Sequence, residues 1–439
     1  MAGIPLFILI VGALWTRRII EPACISSIVA IIMEYGTGAV SGYVEKMYTV
    51  MTNGSFQLLV IVAVGFAGIS ALLEKSGAML GFRHILEKLC TSKKKTIFYT
   101  WLLGGIVFID DYLNALAVSA AMKGISDKKR IPREHLAYTI NCMGACICVL
   151  LPFSSWAAFA MGCAAEQGMA AADYIKAIPF MFYPICAIII SLLLAVGCFP
   201  QLGELKQAYK RVENGGPVLA EKVTEPAMTQ YEIKPSHPVF FILPMAALIG
   251  GMMAFHQDIV IGMLFSLLCM FVMFIGGKKM KCREFFDTFL SGASTIMPML
   301  VTIFVTYIME SAIEDMGFIG FMTGLISQTI PAWLIPVSAF LIVAVITFFA
   351  ASFWTLIVIS FPIFLPMAIS IQVNPALVIG AVMSGVALGS QACLYSDAIF
   401  MVAAGTEVPN DTQFRTVLPY VGIGVICAAV LFVFAGILF

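Results

Sequence analysis

The chain has 439 residues, 61% hydrophobic and 11% charged, with a mean hydropathy of +0.99. That composition excludes a soluble domain with an ordinary core and indicates a chain crossing a membrane many times. Its 25 basic and 25 acidic residues cancel, so no charge excess points to nucleic acid or an acidic partner.

The N-terminal Met1-Ala2-Gly3-Ile4-Pro5-Leu6 lacks a basic n-region, and Trp15-Thr16-Arg17-Arg18 is no small-residue cleavage site. Residues 4–15 therefore read as part of a retained membrane helix. Hydropathy places spans near 3–20, 23–43 and 55–74. Glu34 lies in the second, beside Tyr35-Gly36-Thr37-Gly38, and is either functional or snorkelling toward the outer interface.

From Thr96 to Met122 the only charges are adjacent, in Phe108-Ile109-Asp110-Asp111-Tyr112-Leu113-Asn114. A carboxylate deep in an apolar segment costs roughly 2.5–3.5 kcal/mol, so it ordinarily marks an ion or substrate path. Lys93, Lys94 and Lys95 precede the stretch; Lys123, Lys128, Lys129, Arg130 and Arg133 follow it. Short basic loops stay cytoplasmic, which puts both ends on one face. A re-entrant hairpin over 96–122 satisfies this, with two arms of about 13 residues, each about 20 Å long as helix, meeting near mid-membrane. One tilted helix with an aspartate at a kink would separate the flanks. Broken backbone at that depth must be buried in protein or line a cavity.

Segment 134–167 is too long for one straight span of about 20 residues, and Leu150-Leu151-Pro152-Phe153-Ser154-Ser155 interrupts it. One crossing broken at mid-membrane is expected. Asn141, within it, is either a ligand or a helix-packing hydrogen bonder. Cys142, Cys146 and Cys148 lack histidine partners and metal-ligand spacing, and read as small, buried, reduced thiols. A span near 174–200 follows. Residues 201–237 are the longest polar stretch, expected to be a solvated cytoplasmic linker with one short helix near 204–213.

The second half repeats the plan: spans near 238–255, 258–276 and 296–312, a hairpin 332–372, a broken crossing 375–406, and a span 416–438. Local matches support a repeat. Glu74 and Glu314, Asp111 and Ser352, and Ser155 and Asp397 lie 240, 241 and 242 residues apart. Five crossings per half is odd, so the halves should face opposite ways. Arg17 and Arg18, the run from Arg83 to Arg133, the linker, Lys278 to Arg283 and Arg415 all fall on one predicted face. Glu166, Glu310, Glu314 and Asp315 fall on the other. The expected architecture is an all-α polytopic membrane protein, an inverted repeat of residues 1–200 and 238–439 with two re-entrant hairpins and two broken helices, and both termini outside. That is the build of secondary transporters.

Between Met316 and Thr406 the only acidic, basic or histidine residue is Asp397, at the expected break of the second long crossing. The four interruptions therefore offer Asp110, Asp111 and Asn114; Ser154 and Ser155; Ser352 and Thr355; and Ser390, Gln391, Ser396 and Asp397, with Asn141 nearby. These hard oxygen ligands suit a small alkali cation or a proton. Neighbours on a helix point about 100° apart, so one aspartate should face the site while the other caps the second arm. Asp111 is favoured as ligand because its repeat counterpart is Ser352, whereas that of Asp110 is Ala351. Trp101, Trp333 and Trp354 read as interface anchors, or, for Trp354 at the second hairpin tip, as a wall of the site. The histidines at 84, 135, 237 and 256 fall outside the breaks, His256 in a short turn, and no nucleophile–base pair or metal motif suggests an enzyme. The spans are mostly apolar apart from their breaks, unlike a channel lining.

The run from Phe108 to Leu116, the basic loop Lys128-Lys129-Arg130-Ile131-Pro132-Arg133-Glu134-His135-Leu136-Ala137-Tyr138, and Leu150-Leu151-Pro152-Phe153-Ser154-Ser155-Trp156-Ala157-Ala158 resemble the NhaC-type Na+/H+ antiporter family of the ion-transporter superfamily. The resemblance implies a multi-pass secondary transporter of the bacterial cytoplasmic membrane, a homodimer in the lipid bilayer, whose hairpins and broken helices move as an elevator. The second half departs from the family's Gly-Asp-His and Ser-Asp-Thr-Thr pattern: it reads Gly389-Ser390-Gln391 and Ser396-Asp397-Ala398-Ile399, and Trp354 replaces an expected glycine. The leading expectation is Na+/H+ antiport with Asp111 and Asp397 as paired carboxylates holding Na+, and no cofactor beyond the transported ions. The other is an ion-coupled carrier of amino acids or carboxylates, to which the bulky Trp354 lends weight.

Overall fold

The computed structural model describes residues 4–16, 20–78, 81, 83–219, 236–255, 258–295, 297–317, 331–350, 353–393 and 396–438, and every regular element among them is a helix. In chain order the first half gives α1 (Ile4–Thr16), α2 (Ile20–Tyr35), α3 (Ala39–Thr52), α4 (Gly54–Ser76), α5 (Arg83–Leu89), α6 (Lys93–Ile106), α7 (Asp111–Lys128), α8 (Arg133–Leu150), α9 (Ser155–Glu166), α10 (Ala171–Ala177) and α11 (Phe182–Val196). The linker carries α12 (Gly203–Glu213). Then follow α13 (Val239–Ala254), α14 (Ile259–Gly276), α15 (Cys282–Thr295), α16 (Met297–Asp315), α17 (Ile335–Ala350), α18 (Phe353–Ser370), α19 (Pro375–Ala392), α20 (Asp397–Thr406) and α21 (Asn410–Leu438).

Local chemistry sets many of these starts. Ser92, Asp110, Ser154, Asp258, Asn374 and Ser396 each accept a hydrogen bond from a backbone N–H of the helix they open, which satisfies donors that a helix N-terminus leaves unpaired. Pro375 follows Asn374 at the first position of α19, where its missing N–H costs nothing.

Among the described residues, Ile20–Thr52, Arg133–Glu166, Pro375–Ala392 and Asn410–Leu438 are long and apolar enough to cross a membrane, and Ala171–Phe180 with Phe182–Val196 forms a further apolar pair bent by 51°. The layering is that of a membrane protein. Nearly every residue of α8 and α19 is buried, while α14 exposes Leu264, Leu268 and Val272 and α21 exposes Ile426, Phe434 and Ile437. Such apolar faces have a partner only in lipid. α8 packs against α19, α7 against α20, α9 against α18, and α17 lies along α19. The two broken crossings thus form the centre, with the hairpin arms around them.

Helix boundaries recur through the two halves. α7, α8 and α9 begin 242 residues before α18, α19 and α20, and α3 and α4 begin 243 residues before α15 and α16. This register pairs Asp111 with Phe353 and Asp110 with Ser352, one residue away from the sequence match that paired Asp111 with Ser352. The first hairpin runs from α6 to α7 with its break at residues 107–110, and the first broken crossing opens at 151–154. α17 and α18 are the arms expected of the second hairpin, whose tip residues 351–352 lie outside the described residues.

Three features differ from the sequence reading. Within the segment expected over 23–43 the α-helix is interrupted after Tyr35, where Gly36 adopts φ +56, a left-handed value that glycine takes at no steric cost, although Ile20–Thr52 as a whole is long and apolar enough to cross a membrane. The short amphipathic α3 then begins at Ala39. Its counterpart α15 was not anticipated either, because polar and charged residues dilute the hydropathy of both. The linker is also less solvated than expected. α12 buries Leu205, Ala208 and Val212 and packs on α8 and α21. Arg211 donates to both oxygens of Glu134, at 2.9 and 3.1 Å, and Arg130 Nη2 donates to Gly216 O at 3.0 Å.

The Glu134 carboxylate is 1% exposed, so its charge depends on Arg211. Arg211→Ala should lower stability by about 3 kcal/mol, the cost of an uncompensated buried charge. Glu134→Gln in the same background should recover most of it, read as melting temperature of the purified protein. Additive losses in the double variant would contradict this coupling.

Candidate functional site

The tip of the first hairpin is built on the end of one helix and the start of another. α6 stops at Ile106 and the backbone extends to Asp110, at φ −153 and ψ 140. Asp110 Oδ1 accepts from the Tyr112 and Leu113 amides at 3.0 and 3.2 Å, so this aspartate caps the second arm. Its Oδ2 accepts from Ser155 Oγ at 3.2 Å, and Ser155 N donates to Ile109 O at 2.8 Å. The hairpin tip is thereby fastened to the break of the first crossing. Ser154 caps α9 through the Ala157 amide at 3.0 Å and donates back to Cys148 O.

Asp111 is the first residue of α7 and only 3% exposed. Its Oδ1 accepts from the Trp156 indole N–H at 3.2 Å. Asn114, one turn further on, donates to Gly104 O and Val107 O at 2.7 and 2.8 Å, carbonyls from the broken end of α6, which has no continuing helix to bond them. Its Oδ1 is buried with no hydrogen-bond partner.

The second break is tied to the first crossing. α19 ends at Ala392 and Ser396 opens α20, accepting from Ala398 N at 3.2 Å and donating to Ser390 O at 2.8 Å. Asn141 Nδ2 donates to Gln391 O at 2.8 Å, and Tyr183 donates to Gln391 Oε1 at 2.7 Å. Asn141 Oδ1 and Ser390 Oγ are buried without partners. Asn141 and Gly144 lie on one face of α8, three residues apart. A Cβ at Gly144 would sit at ordinary contact distance, 3.5 Å from Asp111 O and 3.7 Å from Asn114 Cβ, so this face of α8 packs on the start of α7. The Asp111 carbonyl and Asn114 thus lie against Gly144 of α8, while Asn141 reaches from α8 to Gln391 of α19.

Aromatic rings close one side. Trp156 packs on Trp354 at 4.9 Å between centroids and on Phe353 at 6.0 Å, and Trp354 meets Phe159 at 4.8 Å. Trp354 thus joins the second hairpin arm to α9 rather than standing at a membrane interface. Of the remaining candidates, Asp397 is the first residue of α20 and Thr355 lies in α18, but their side chains, and Ser352 entirely, fall outside the described residues. Glu34 is not a lone snorkelling carboxylate: its Oε1 lies 3.4 Å from Lys46 Nζ, which also bonds Asp315 and Ser311, a cluster joining α2 and α3 to α16.

Sequence reasoning passed over Trp156, Tyr183 and Lys46. The available signal was their polarity, since an indole N–H, a phenol or an ammonium inside an apolar crossing needs a partner. The breaks hold one described carboxylate at Asp111 together with amide oxygens and hydroxyls, groups of the kind that bind alkali cations or protons. Among the described residues no group of three His, Cys, Asp or Glu could hold a metal ion.

The Na+/H+ antiporter family matches residues 147–437, from within α8 to the end of α21. The chain belongs to the Na+/H+ antiporter family. This antiporter is accordingly a multi-pass membrane protein and secondary transporter of small cations, not an enzyme. An uncharacterised protein of Haemophilus influenzae is 22% identical over 455 residues, covering 95% of this chain and 87% of the relative. Two solved transporters share the fold. The YdaH transporter of Alcanivorax borkumensis superposes with a TM-score of 0.63 at 14% identity, over 91% of this chain and 89% of that one. MtrF of Neisseria gonorrhoeae gives 0.58 at 16% identity, over 90% and 83%.

Because Asn114 bonds two carbonyls at a buried chain break, Asn114→Ala should destabilise the antiporter by about 1–3 kcal/mol, the cost of leaving such groups unsatisfied. Thermal unfolding in detergent measures it, and an unchanged midpoint would mean that water replaces the amide.

Proposed function

We propose that this antiporter exchanges Na+ for H+ at Asp111. The observation that carries the reading is a 3%-exposed carboxylate at a broken hairpin tip, one helical turn before Asn114, whose Oδ1 is buried without a partner. Asp110, Ser154, Ser155 and Ser396 hold the breaks in shape, while Asn114, Asn141, Ser390 and Gln391 line the cation's surroundings. Asp397, at the corresponding start of α20, is the second carboxylate, and Ser352 and Thr355 complete the tip of the second hairpin. Proton and Na+ compete for Asp111 and Asp397, and only the neutralised site crosses, since an uncompensated charge in low dielectric is costly.

The recurrence of helix starts at 242 residues supports an inverted repeat of residues 1–200 and 238–439 around a cytoplasmic linker. So does reciprocal packing, in which α4 meets α14 and α15 while α16 meets α2 and α3. In an elevator movement, α6–α9 and α17–α20 would travel together against α2–α4 and α14–α16. The assembly is a homodimer in a bacterial cytoplasmic membrane with both termini outside, and transported Na+ and H+ serve in place of a cofactor.

One observation favours a second reading, an ion-coupled carrier of amino acids or carboxylates. Trp156, Trp354 and Phe159 form an apolar wall beside a second half with few charged ligands. MtrF, which shares the fold, is described as illuminating a class of antimetabolite efflux pumps.

Proteoliposomes with an internal pH dye should report proton movement on external Na+ or Li+. Asp111→Asn should cut the rate by at least about tenfold, a transition-state change of roughly 1.4 kcal/mol. Asp110→Asn should largely keep it, because asparagine caps helices about as well as aspartate. Full pH-dependent exchange in Asp111→Asn would remove the proposed mechanism. Silence of the folded wild type with every alkali cation, together with uptake of a labelled amino acid or carboxylate, would select the second reading.

A further inference from the structure

Gln391 is the last residue but one of α19, fully enclosed beside the second break, and its two oxygens are held by two different helices. The backbone carbonyl accepts from Asn141 Nδ2 of α8 at 2.8 Å, and the side-chain Oε1 accepts from the Tyr183 hydroxyl of α11 at 2.7 Å. Cys146 Sγ, also on α8, lies 3.8 Å from the same Oε1. With a phenol and a thiol both donating to Oε1, the carboxamide has one favoured orientation.

Tyr183 is itself held from several sides. It is the second residue of α11, just after the 51° bend between Ala171–Phe180 and Phe182–Val196. That bend docks along one face of α19. Gly380 has no Cβ, and one built there would stand 2.7 Å from the backbone of Phe180. Tyr183 N donates to Ser384 Oγ at 3.4 Å, and the Tyr183 hydroxyl reaches Gln391. Gly380, Ser384 and Gln391 lie within about 40° of one another around a helix, so the three contacts share a face. The Tyr183 ring also packs on Phe340 of α17, 6.4 Å between centroids, and on Gly424 of α21, where a Cβ would be 3.2 Å from Tyr183 Cε2. Tyr183 is fully buried, so its hydroxyl cannot follow Gln391 into a second orientation.

We propose that Tyr183 is a positioning residue of transport: it fixes the carboxamide of Gln391 and thereby sets the affinity of the second break for the transported ion. The proposal rests on the reading of Gln391 as part of the cation's surroundings. Ser390 Oγ, next in the chain, and Oδ1 of Asn141, which bonds the Gln391 carbonyl, are buried without hydrogen-bond partners. Without the phenol, Oε1 keeps only a thiol, a weak donor. The carboxamide can then turn and use its NH2 on acceptors at the break, in competition with a cation.

The experiment measures, in proteoliposomes of the full-length protein, the Na+ concentration for half-maximal exchange and the maximal rate. Tyr183→Phe removes one oxygen atom. It should raise the half-saturating concentration about tenfold and hold the maximal rate within about twofold, the pattern of lost binding rather than lost turnover. Gln391→Ala should raise that concentration similarly, and Tyr183→Phe added to it should change nothing further. Tyr420→Phe removes another buried phenol, the one that accepts from Leu202 N, and should leave the concentration unaltered. If Gln391→Ala does not fold, the Na+ dependence of the melting temperature of Tyr183→Phe in detergent reads the same affinity. Full exchange in Asp111→Asn would remove the Na+/H+ mechanism but not this test, which is then read on the ion or labelled carboxylate that the wild type moves. An unchanged half-saturating concentration in Tyr183→Phe, or effects of the two substitutions that multiply in the double variant, overturns the proposal.

Discussion

Everything at the centre of this antiporter depends on one constraint: a helix broken inside a membrane exposes amides and carbonyls that lipid cannot satisfy. The chain meets it with side chains. Asp110 and Ser154 accept from the amides of α7 and α9, Ser396 accepts from α20, and Asn114 covers two carbonyls that α6 leaves behind. Because each of these groups is committed to backbone, the breaks have fixed shapes. The Asp111 carboxylate, bonded to the Trp156 indole, and the oxygens of Asn114, Asn141 and Ser390 sit within that framework.

The two adjacent aspartates show how the constraint divides labour. They differ by one position along the chain, yet Asp110 is in extended backbone outside the helix and Asp111 is the first residue within it. A carboxylate that accepts from two amides and a hydroxyl has spent its lone pairs on architecture. Its neighbour, turned by about 100°, meets the Trp156 indole instead. Trp156 in turn packs at a tilt on Trp354 of the second hairpin arm.

Charges elsewhere act as fasteners at the ends of these elements. Arg133 donates to Asp127 and to Glu407, and Lys123 also reaches Glu407, which joins α7 and α8 to the end of α20. Glu407 itself lies beyond α20; burial pushes its carboxyl up, but the hydrogen bonds from Lys123 and Arg133 prevail and hold it below the usual carboxylate range. At the other boundary, Lys46 gathers Glu34 and Asp315 from α2 and α16. These pairs tie helix ends to one another across the fold.

The sequence by itself determined that the chain is helical and rich in apolar segments, and where its helices are interrupted near Asp110, Ser154 and Ser396. Hydropathy, helix-capping residues and the rarity of charge are local signals, and Asp110, Ser154 and Ser396 announce the breaks without help from any distant residue. The family was also legible, from the run Phe108 to Leu116 and the motif around Ser154 and Ser155. Only the tertiary structure decided what those residues touch. That Asn141 bonds Gln391, that Trp156 faces Asp111, and that α12 docks on α8 are contacts between segments far apart in the chain. No periodicity encodes such contacts, because they depend on how helices cross and on small residues such as Gly405, where a Cβ would meet Ser119 Cβ at 2.5 Å. The amphipathic α3 and α15 escaped the sequence reading for a related reason: their polar faces dilute the hydropathy, and only packing against α16 and α4 gives their apolar faces a place.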